Sequence, residues 1–276
     1  MFKSVSPYNE MVNYELAWAS DIKSSLKNIN TGSSLFCDDL VEKIKNFIDN
    51  KLDKNFSILV PQCFQFPANL EDSVIKALYY QGDLGLLDNN MLKISIVGAR
   101  KASLDGIKRA RQLVEKLLNK GDVIIVSGLA DGIDTAAMNA TIEFGGHMIG
   151  VIGTPLNKFY PKQNEELQRL VADKHLLLSH VPFYKYSLQK FDTQKYYFPE
   201  RNAVMAAISD ATVIVEASET SGTLTQARAC LEMGKKLFIL NSCFESGLKW
   251  PDKYEKKGAI RVRTIEDIWE NLNVKL

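Results

Sequence analysis

The 276-residue chain is predicted to be an α/β protein: a mostly parallel sheet with helices on both faces, plus a small N-terminal helical region. Three observations predict this. Short apolar strands with little polar alternation recur along the chain, the pattern of strands buried on both faces. Helical stretches of roughly ten or more residues separate them. The unit is seen in one piece over residues 93–134. There, the mostly apolar residues 94–97 run into Gly98 and residues 123–126 run through Ser127 into Gly128. Between them, Ile107, Ala110, Leu113, Val114, Leu117 and Leu118 recur on one side of a helix.

The elements follow in order. Residues 9–28 and 38–50 have amphipathic helical spacing, with a turn at 30–34 and Asp38 and Asp39 at the second helix start. Pro61 and Pro67 mark an irregular joining segment. Val74, Ile75, Leu78 and Tyr79 suggest a short helix over 72–82. Strands are expected at 94–97, 123–126, 148–152, 176–179, 211–215 and 237–240. Helices are expected at 104–120, 134–144, 164–172, 199–208, 223–233 and 265–272. Gly145 and Gly146 close the second of these helices, and Gly234 stands just past the fifth. The chain shows no internal repeat and divides into a helical region, 1–58, and a core, 59–276.

Composition narrows the function. Hydrophobic content of 46% and charged content of 24% are ordinary for a globular protein. The N-terminus lacks the apolar core of a secretory signal, and no apolar run reaches the roughly 18 residues that a membrane span needs. A cytoplasmic protein without membrane contact is expected. Cys37, Cys63, Cys230 and Cys243 are scattered, which fits reduced thiols and no metal site. His147, His175 and His180 stand far apart, and no carboxylate pair has acid–base spacing, so neither a catalytic site nor a cofactor is expected. The net charge of +1 means that any nucleic-acid affinity comes from a local patch. Residues 93–120 carry eight basic side chains against Asp105 and Glu115. Such a run suits either a solvated helix face or a phosphate-binding surface.

Five constellations mark strand ends. Gly98-Ala99-Arg100-Lys101 lacks the GxGxxG pattern, since the next glycine is Gly106, so a standard dinucleotide site is not expected. A guanidinium two residues after the glycine suits a phosphate. Ser127, Gly128 and Gly132 form a tight strand-end loop, with Asp134 as the expected N-cap of the next helix. Ser221-Gly222-Thr223 opens a helix, where hydroxyls and free amides could seat a phosphate. Arg201 and Asn202 follow Pro199 in the first turn of another helix. Lys158, Phe159, Tyr160, Lys162 and Asn164 set aromatics among lysines, a composition that suits either base stacking or core packing.

Taken together, IVGARKAS, GDVIIVSGLADGIDTAAMNATIEFGG, IGVIGTPLNKFYPKQNEEL, LLLSHVPF, FPERNAVMAAISDATVIVEASETSGTLTQARACLEMGKKLFIL and KKGAIRVRTIEDI resemble the DNA-processing protein A (DprA/Smf) family. The resemblance runs from about Val60 to Leu272. It implies an extended Rossmann-like fold, single-stranded DNA binding in recombination or DNA uptake, assistance to the RecA recombinase, a homodimer and no enzymatic activity. It also implies that Gly98, Arg100, Ser127, Gly128, Gly132, Arg201, Asn202, Ser221, Gly222 and Thr223 line a phosphate groove. Lys101, Lys158, Tyr160 and Asn164 complete the expected DNA-binding set. The chain departs from the family pattern at Met138, His180 and Ala203. The alternative is a nucleotide sensor or a phosphoribohydrolase-like protein of the same superfamily. Gln226 stands where those hydrolases carry a working glutamate, and an amide does not titrate near neutral pH.

Overall fold

A computed structural model describes residues 6–20, 38–53, 55–88 and 90–272. Its elements in chain order are α1 (Pro7–Ala19), α2 (Asp38–Lys51), β1 (Ser57–Leu59), β2 (Leu78–Gly82), α3 (Gly85–Asp88), β3 (Leu92–Gly98), α4 (Leu104–Lys120), β4 (Val123–Ser127), α5 (Ile133–Glu143) and β5 (His147–Ile152). There follow α6 (Glu165–Lys174), β6 (Leu176–Ser179), α7 (Phe183–Leu188), α8 (Phe191–Gln194), α9 (Tyr197–Ile208) and β7 (Ala211–Glu216). The chain continues with α10 (Thr223–Glu232), β8 (Lys236–Leu240), α11 (Asn241–Phe244), α12 (Trp250–Glu255), β9 (Ile260–Val262) and α13 (Glu266–Leu272).

The strands form one sheet in the order β1-β2-β6-β5-β4-β3-β7-β8-β9. From β6 to β9 every pairing is parallel; β1–β2 and β2–β6 are antiparallel. The pleat sends alternate residues to opposite faces. Ile124 and Val126 of β4 pack toward α9 and α10, while Val123 and Ile125 pack toward α4, α5 and α13. Both faces are thus covered, which is why these strands read as continuous apolar runs.

Local capping matches the sequence. Ser6 accepts from the Asn9 amide at the start of α1, with Pro7 at the first helical position. Ser103 does the same for the Gly106 amide in α4. The six expected strands and the helices between them are present, with ends shifted by a residue or two.

Two expectations change. Residues 72–82 do not form a helix: Leu78–Gly82 is β2, paired to β6 with Tyr79 opposite Ser179. Apolar side chains at 74, 75, 78 and 79 suit a helix locally. Backbone pairing to a strand about 100 residues away decides otherwise, and a window of that length does not contain it. The helix expected over 9–28 ends at Ala19, where the Ser20 amide closes onto Leu16; residues 21–37 lie outside the described residues, as does the turn expected at 30–34.

The first two helices pack against the β2–β6 side of the sheet. Tyr14, Leu16 and Trp18 of α1 join Ile44 and Ile48 of α2, Tyr79, Phe183 and Tyr197 in one buried cluster. At its centre the fully buried Glu15 carboxylate accepts from the Tyr79 hydroxyl (2.6 Å) and from the amides of Phe183 (2.8 Å) and Tyr184 (2.9 Å).

Candidate nucleic-acid interface

Strand order places the site. β3 is the first strand of the parallel unit, with β4, β5 and β6 to one side and β7, β8 and β9 to the other. The order therefore reverses between β3 and β7, and crossover connections leave a crevice beyond the carboxyl ends of such strands. A crevice of about 520 Å³ opens there, lined by Gly98, Arg100, Lys101, Phe198, Asn202 and Thr223 among others. Arg201, Ser221 and Gly222 also line it.

Hydrogen bonds hold its walls. Thr223 donates its hydroxyl to the Gly98 carbonyl at 3.0 Å and receives a bond from the Ser221 hydroxyl at 2.9 Å. The Ala99 amide donates to the Glu216 carbonyl at 2.7 Å, and Asn202 Nδ2 donates to the Gly222 carbonyl at 3.0 Å. The loops after β3 and β7 are thereby fastened to each other. The amides expected to be free at the start of α10 are not free. Thr223 N–H bonds Ser221 Oγ (3.2 Å), Leu224 N–H bonds the Ser221 carbonyl (3.1 Å) and Thr225 N–H bonds the Gly222 carbonyl (3.0 Å). The start of α4 is likewise occupied: the Glu216 carboxylate accepts from Ser103 N–H at 2.9 Å and from its hydroxyl at 2.5 Å.

The floor holds two buried charged side chains of opposite sign, each bonded to the backbone rather than to the other. Arg201 is 5% exposed and Asp134 4% exposed. Arg201 Nη1 donates to the carbonyls of Gly128 (2.5 Å) and Val151 (3.1 Å), and its Nε donates to Asn202 Oδ1 (3.0 Å). Asp134 was the expected N-cap of α5, but Gly132 holds that position. The Asp134 carboxylate turns back to accept the Gly128 amide at 3.0 Å. Burial pushes the Asp134 carboxyl above its ordinary value, opposed by Arg201 and by the Gly128 and Ala130 amides. Burial lowers the Arg201 guanidinium to about 10, with Asp134 opposing. A side chain at Gly128 would collide with the Arg201 guanidinium, so glycine is required there by close approach rather than by its dihedrals.

The rim carries the exposed chemistry. Arg100 is exposed, and its guanidinium lies 5.1 Å from the centroid of the Phe198 ring. The Tyr160 ring, 39% exposed, lies 5.5 Å from Phe198 at 47°. Together with Gly128, Asp131 and Arg201 these residues line a smaller recess beside the main crevice. Lys101 is exposed on the same lip. The run of positive charge over 93–120 is neutralised in part. Lys93 is buried; Arg109 faces Glu216 (3.5 Å), Arg111 pairs with Glu143 (2.6 Å) and Glu115 (3.6 Å), and Lys120 pairs with Glu266 (3.0 Å). Three of the eight basic residues are thus salt-bridged and Lys93 is buried, while Arg100, Lys101, Lys108 and Lys116 are exposed.

Four expected residues line neither the crevice nor the recess beside it. Ser127 is fully buried and donates to the Ile96 carbonyl at 2.9 Å. Gly132, at φ 77°, lets the Ile133 amide reach the Ala99 carbonyl at 3.2 Å. Asn164 is buried and donates to the Leu129 carbonyl (2.9 Å) and Thr135 hydroxyl (2.8 Å). Lys158 is exposed on the loop after β5, where its carbonyl accepts from Gln168. Phe159 is covered by Arg169, 4.3 Å from its ring centroid. Phe198, Asp134 and Glu216 were not among the expected site residues; Phe198 and Glu216 depend on partners about 100 residues off in sequence, and Asp134 was expected only as an N-cap.

Among the described residues no helix is long and apolar enough to cross a membrane, and no group of three or more His, Cys, Asp or Glu is placed to hold a metal.

The fold and crevice define an α/β protein with an open groove at the switch point of a doubly wound sheet, with Arg100 and Lys101 exposed at its lip. The chain belongs to the DNA recombination-mediator protein A family, whose pattern it matches over residues 57–273. It is 36% identical over 194 residues to DNA processing protein DprA of Streptococcus pneumoniae, covering 70% of this chain and 65% of that one. It is 36% identical over 196 residues to DprA of Bacillus subtilis, covering 71% and 63%. Against protein Smf of Escherichia coli it is 35% identical over 202 residues, covering 72% and 52%. The matched stretch thus spans between about half and two thirds of these relatives' lengths. The X-ray structure of DprA from Streptococcus pneumoniae superposes with a TM-score of 0.74 at 26% identity, covering 99% of this chain and all of that one. A structure describing the single-stranded DNA binding mode of DNA processing protein A from Helicobacter pylori gives 0.65 at 28% identity, covering 79% and 95%.

Proposed function

We propose that this chain binds single-stranded DNA, with its phosphates on Arg100 and Lys101 and bases against Phe198 and Tyr160. The stacking of Arg100 over Phe198 at the lip of the crevice carries this reading, because it joins a fixed cation to an aromatic face at the ligand edge of the sheet. Gly98, Asn202, Ser221, Gly222 and Thr223 shape the wall that the strand passes. Ser127, Gly128, Gly132, Asn164 and Arg201 hold the loops from behind, and Lys158 adds charge on the approach from β5. The core, 59–276, carries this groove, and the helical region, 1–58, braces it.

Family membership supports a place in recombination or DNA uptake, as a cytoplasmic homodimer that passes the strand to a RecA-type recombinase. The reading is of a binding protein rather than a hydrolase. Gln226 Nε2 donates to the Ser95 hydroxyl at 2.7 Å, and an amide does not titrate near neutral pH, so it cannot act as a general acid or base. A second reading, a small nucleotide in the crevice, is favoured by its size, which falls in the range of small-molecule sites.

Fluorescence anisotropy of a labelled single-stranded oligonucleotide, at low and high salt beside a duplex control, tests the proposal. Strand-selective binding that weakens steeply with salt is expected. No binding at low salt overturns it, and release of free base from a nucleotide would replace it with the hydrolase.

A further inference from the structure

Tyr160, Phe198 and Arg100 do not end the aromatic surface. The Tyr186 ring of α7 lies 5.9 Å from Tyr197, the residue next to Phe198 at the lip. Beyond them, Leu188 and Phe191 are each 69% exposed and Tyr196 is 65% exposed. Three large apolar side chains are exposed within nine residues of one short segment, more than the single scattered exposure that needs no explanation.

The segment is held out by a braced backbone. Gln194 Nε2 donates to the carbonyls of Tyr186 (3.2 Å) and Gln189 (3.1 Å). The Thr193 amide bonds the Lys190 carbonyl (2.9 Å), the Tyr196 amide bonds the Thr193 carbonyl (3.2 Å), and the Phe198 amide bonds the Lys195 carbonyl (3.3 Å). Beneath, Tyr197 is buried against Trp18 at 5.9 Å. The rings are therefore presented with little ordering entropy left to lose on binding.

Charge selects the occupant. Residues 183–198 contain Lys185, Lys190 and Lys195 against one acidic side chain, Asp192. Lys195 Nζ sits 5.7 Å from the Tyr196 ring centroid, a cation beside an exposed π-face. Alternating lysines and flat rings suit a polyanion with stackable bases.

We propose that the α7–α8 segment is a second stacking platform, which carries a single strand out of the crevice with bases on Phe191 and Tyr196 and phosphates on Lys190 and Lys195. The platform rests on the single-stranded DNA reading above, and it predicts a longer footprint than the crevice alone supplies.

The test compares the parent with F191A/Y196A on two oligothymidylates, one of about six and one of about twenty nucleotides. Both substituted side chains are mostly exposed, so thermal melting is expected to stay unchanged. The variant should bind the longer strand about tenfold more weakly or worse, from the loss of stacking, and the shorter strand as the parent does. With a strand carrying 5-iododeoxyuridine, photocrosslinks are expected at Phe191 or Tyr196. Equal affinity of parent and variant for the longer strand, with crosslinks confined to Tyr160 and Phe198, overturns the platform, leaves the crevice reading standing and gives these side chains to a protein partner. Failure of the parent to bind either strand removes the crevice reading itself.

Discussion

Arg201 reaches across from α9 to the carbonyl of Gly128, 73 positions earlier in the chain, at 2.5 Å. That bond joins the helix above the crevice to the loop after β4, and the same guanidinium sits beside the buried carboxylate of Asp134.

Removing the guanidinium should unsettle the whole floor. R201A leaves the Gly128 and Val151 carbonyls without their donor and removes the positive charge near Asp134, a loss expected to cost about 3 kcal/mol or more. R201K keeps the charge but not the fork geometry, so a smaller loss is expected. Urea denaturation of the two variants checks the order.

Arg100 should behave oppositely, since it is exposed and meets a ring at the lip. R100A is expected to leave the unfolding free energy within about 0.5 kcal/mol of the parent. Its affinity for single-stranded DNA should fall, and the slope of log K against log salt should lessen by about 0.7 for each phosphate no longer neutralised. Unchanged affinity would move the groove elsewhere.

The hydroxyl of Thr223 ties the two loops that flank the crevice. T223V keeps the shape and loses the bond to the Gly98 carbonyl, at a cost of about 1 kcal/mol. Faster amide exchange at Ala99 and Ser221 than in the parent is the readout, with the global melting temperature falling only slightly.

Glu15 makes the packing of α1 sensitive to pH. Burial raises its carboxyl to about 7, against the hydrogen bonds from Tyr79, Phe183 and Tyr184 that favour the ionised form. The folded protein therefore holds a proton that the unfolded chain releases near 4.5. Stability from this group is present below about 4.5 and is lost as pH rises through about 7, on the order of 3 kcal/mol in all. The difference in unfolding free energy between the parent and E15Q, measured from pH 4.5 to 8, should follow that slope; a flat difference would show that Glu15 stays ionised throughout.

Most of the parallel sheet could be read from the chain, because strands buried on both faces leave continuous apolar runs and glycines at their ends. Residues 123–128 show this plainly: every side chain of β4 is buried, and the run stops at Gly128. Leu78–Gly82 could not be read so, since its five residues owe their extended form to hydrogen bonds with Leu176–Ser179. The candidate site divided the same way. Gly98, Arg100 and Ser221-Gly222-Thr223 were legible because strand ends face the ligand edge in this topology.

What the sequence alone determined is the order of the six central parallel strands and the helices between them, and with it the edge of the sheet where the crevice opens, since short-range periodicity and chain punctuation suffice for that. Tertiary structure alone decided which charges are available. It buried Lys93, paired Arg109, Arg111 and Lys120 with acids, sank Arg201 among carbonyls and left Arg100 against Phe198 at the surface. The physical reason is that a side chain's solvation and partners are set by residues brought together from distant positions, and no local spacing records them.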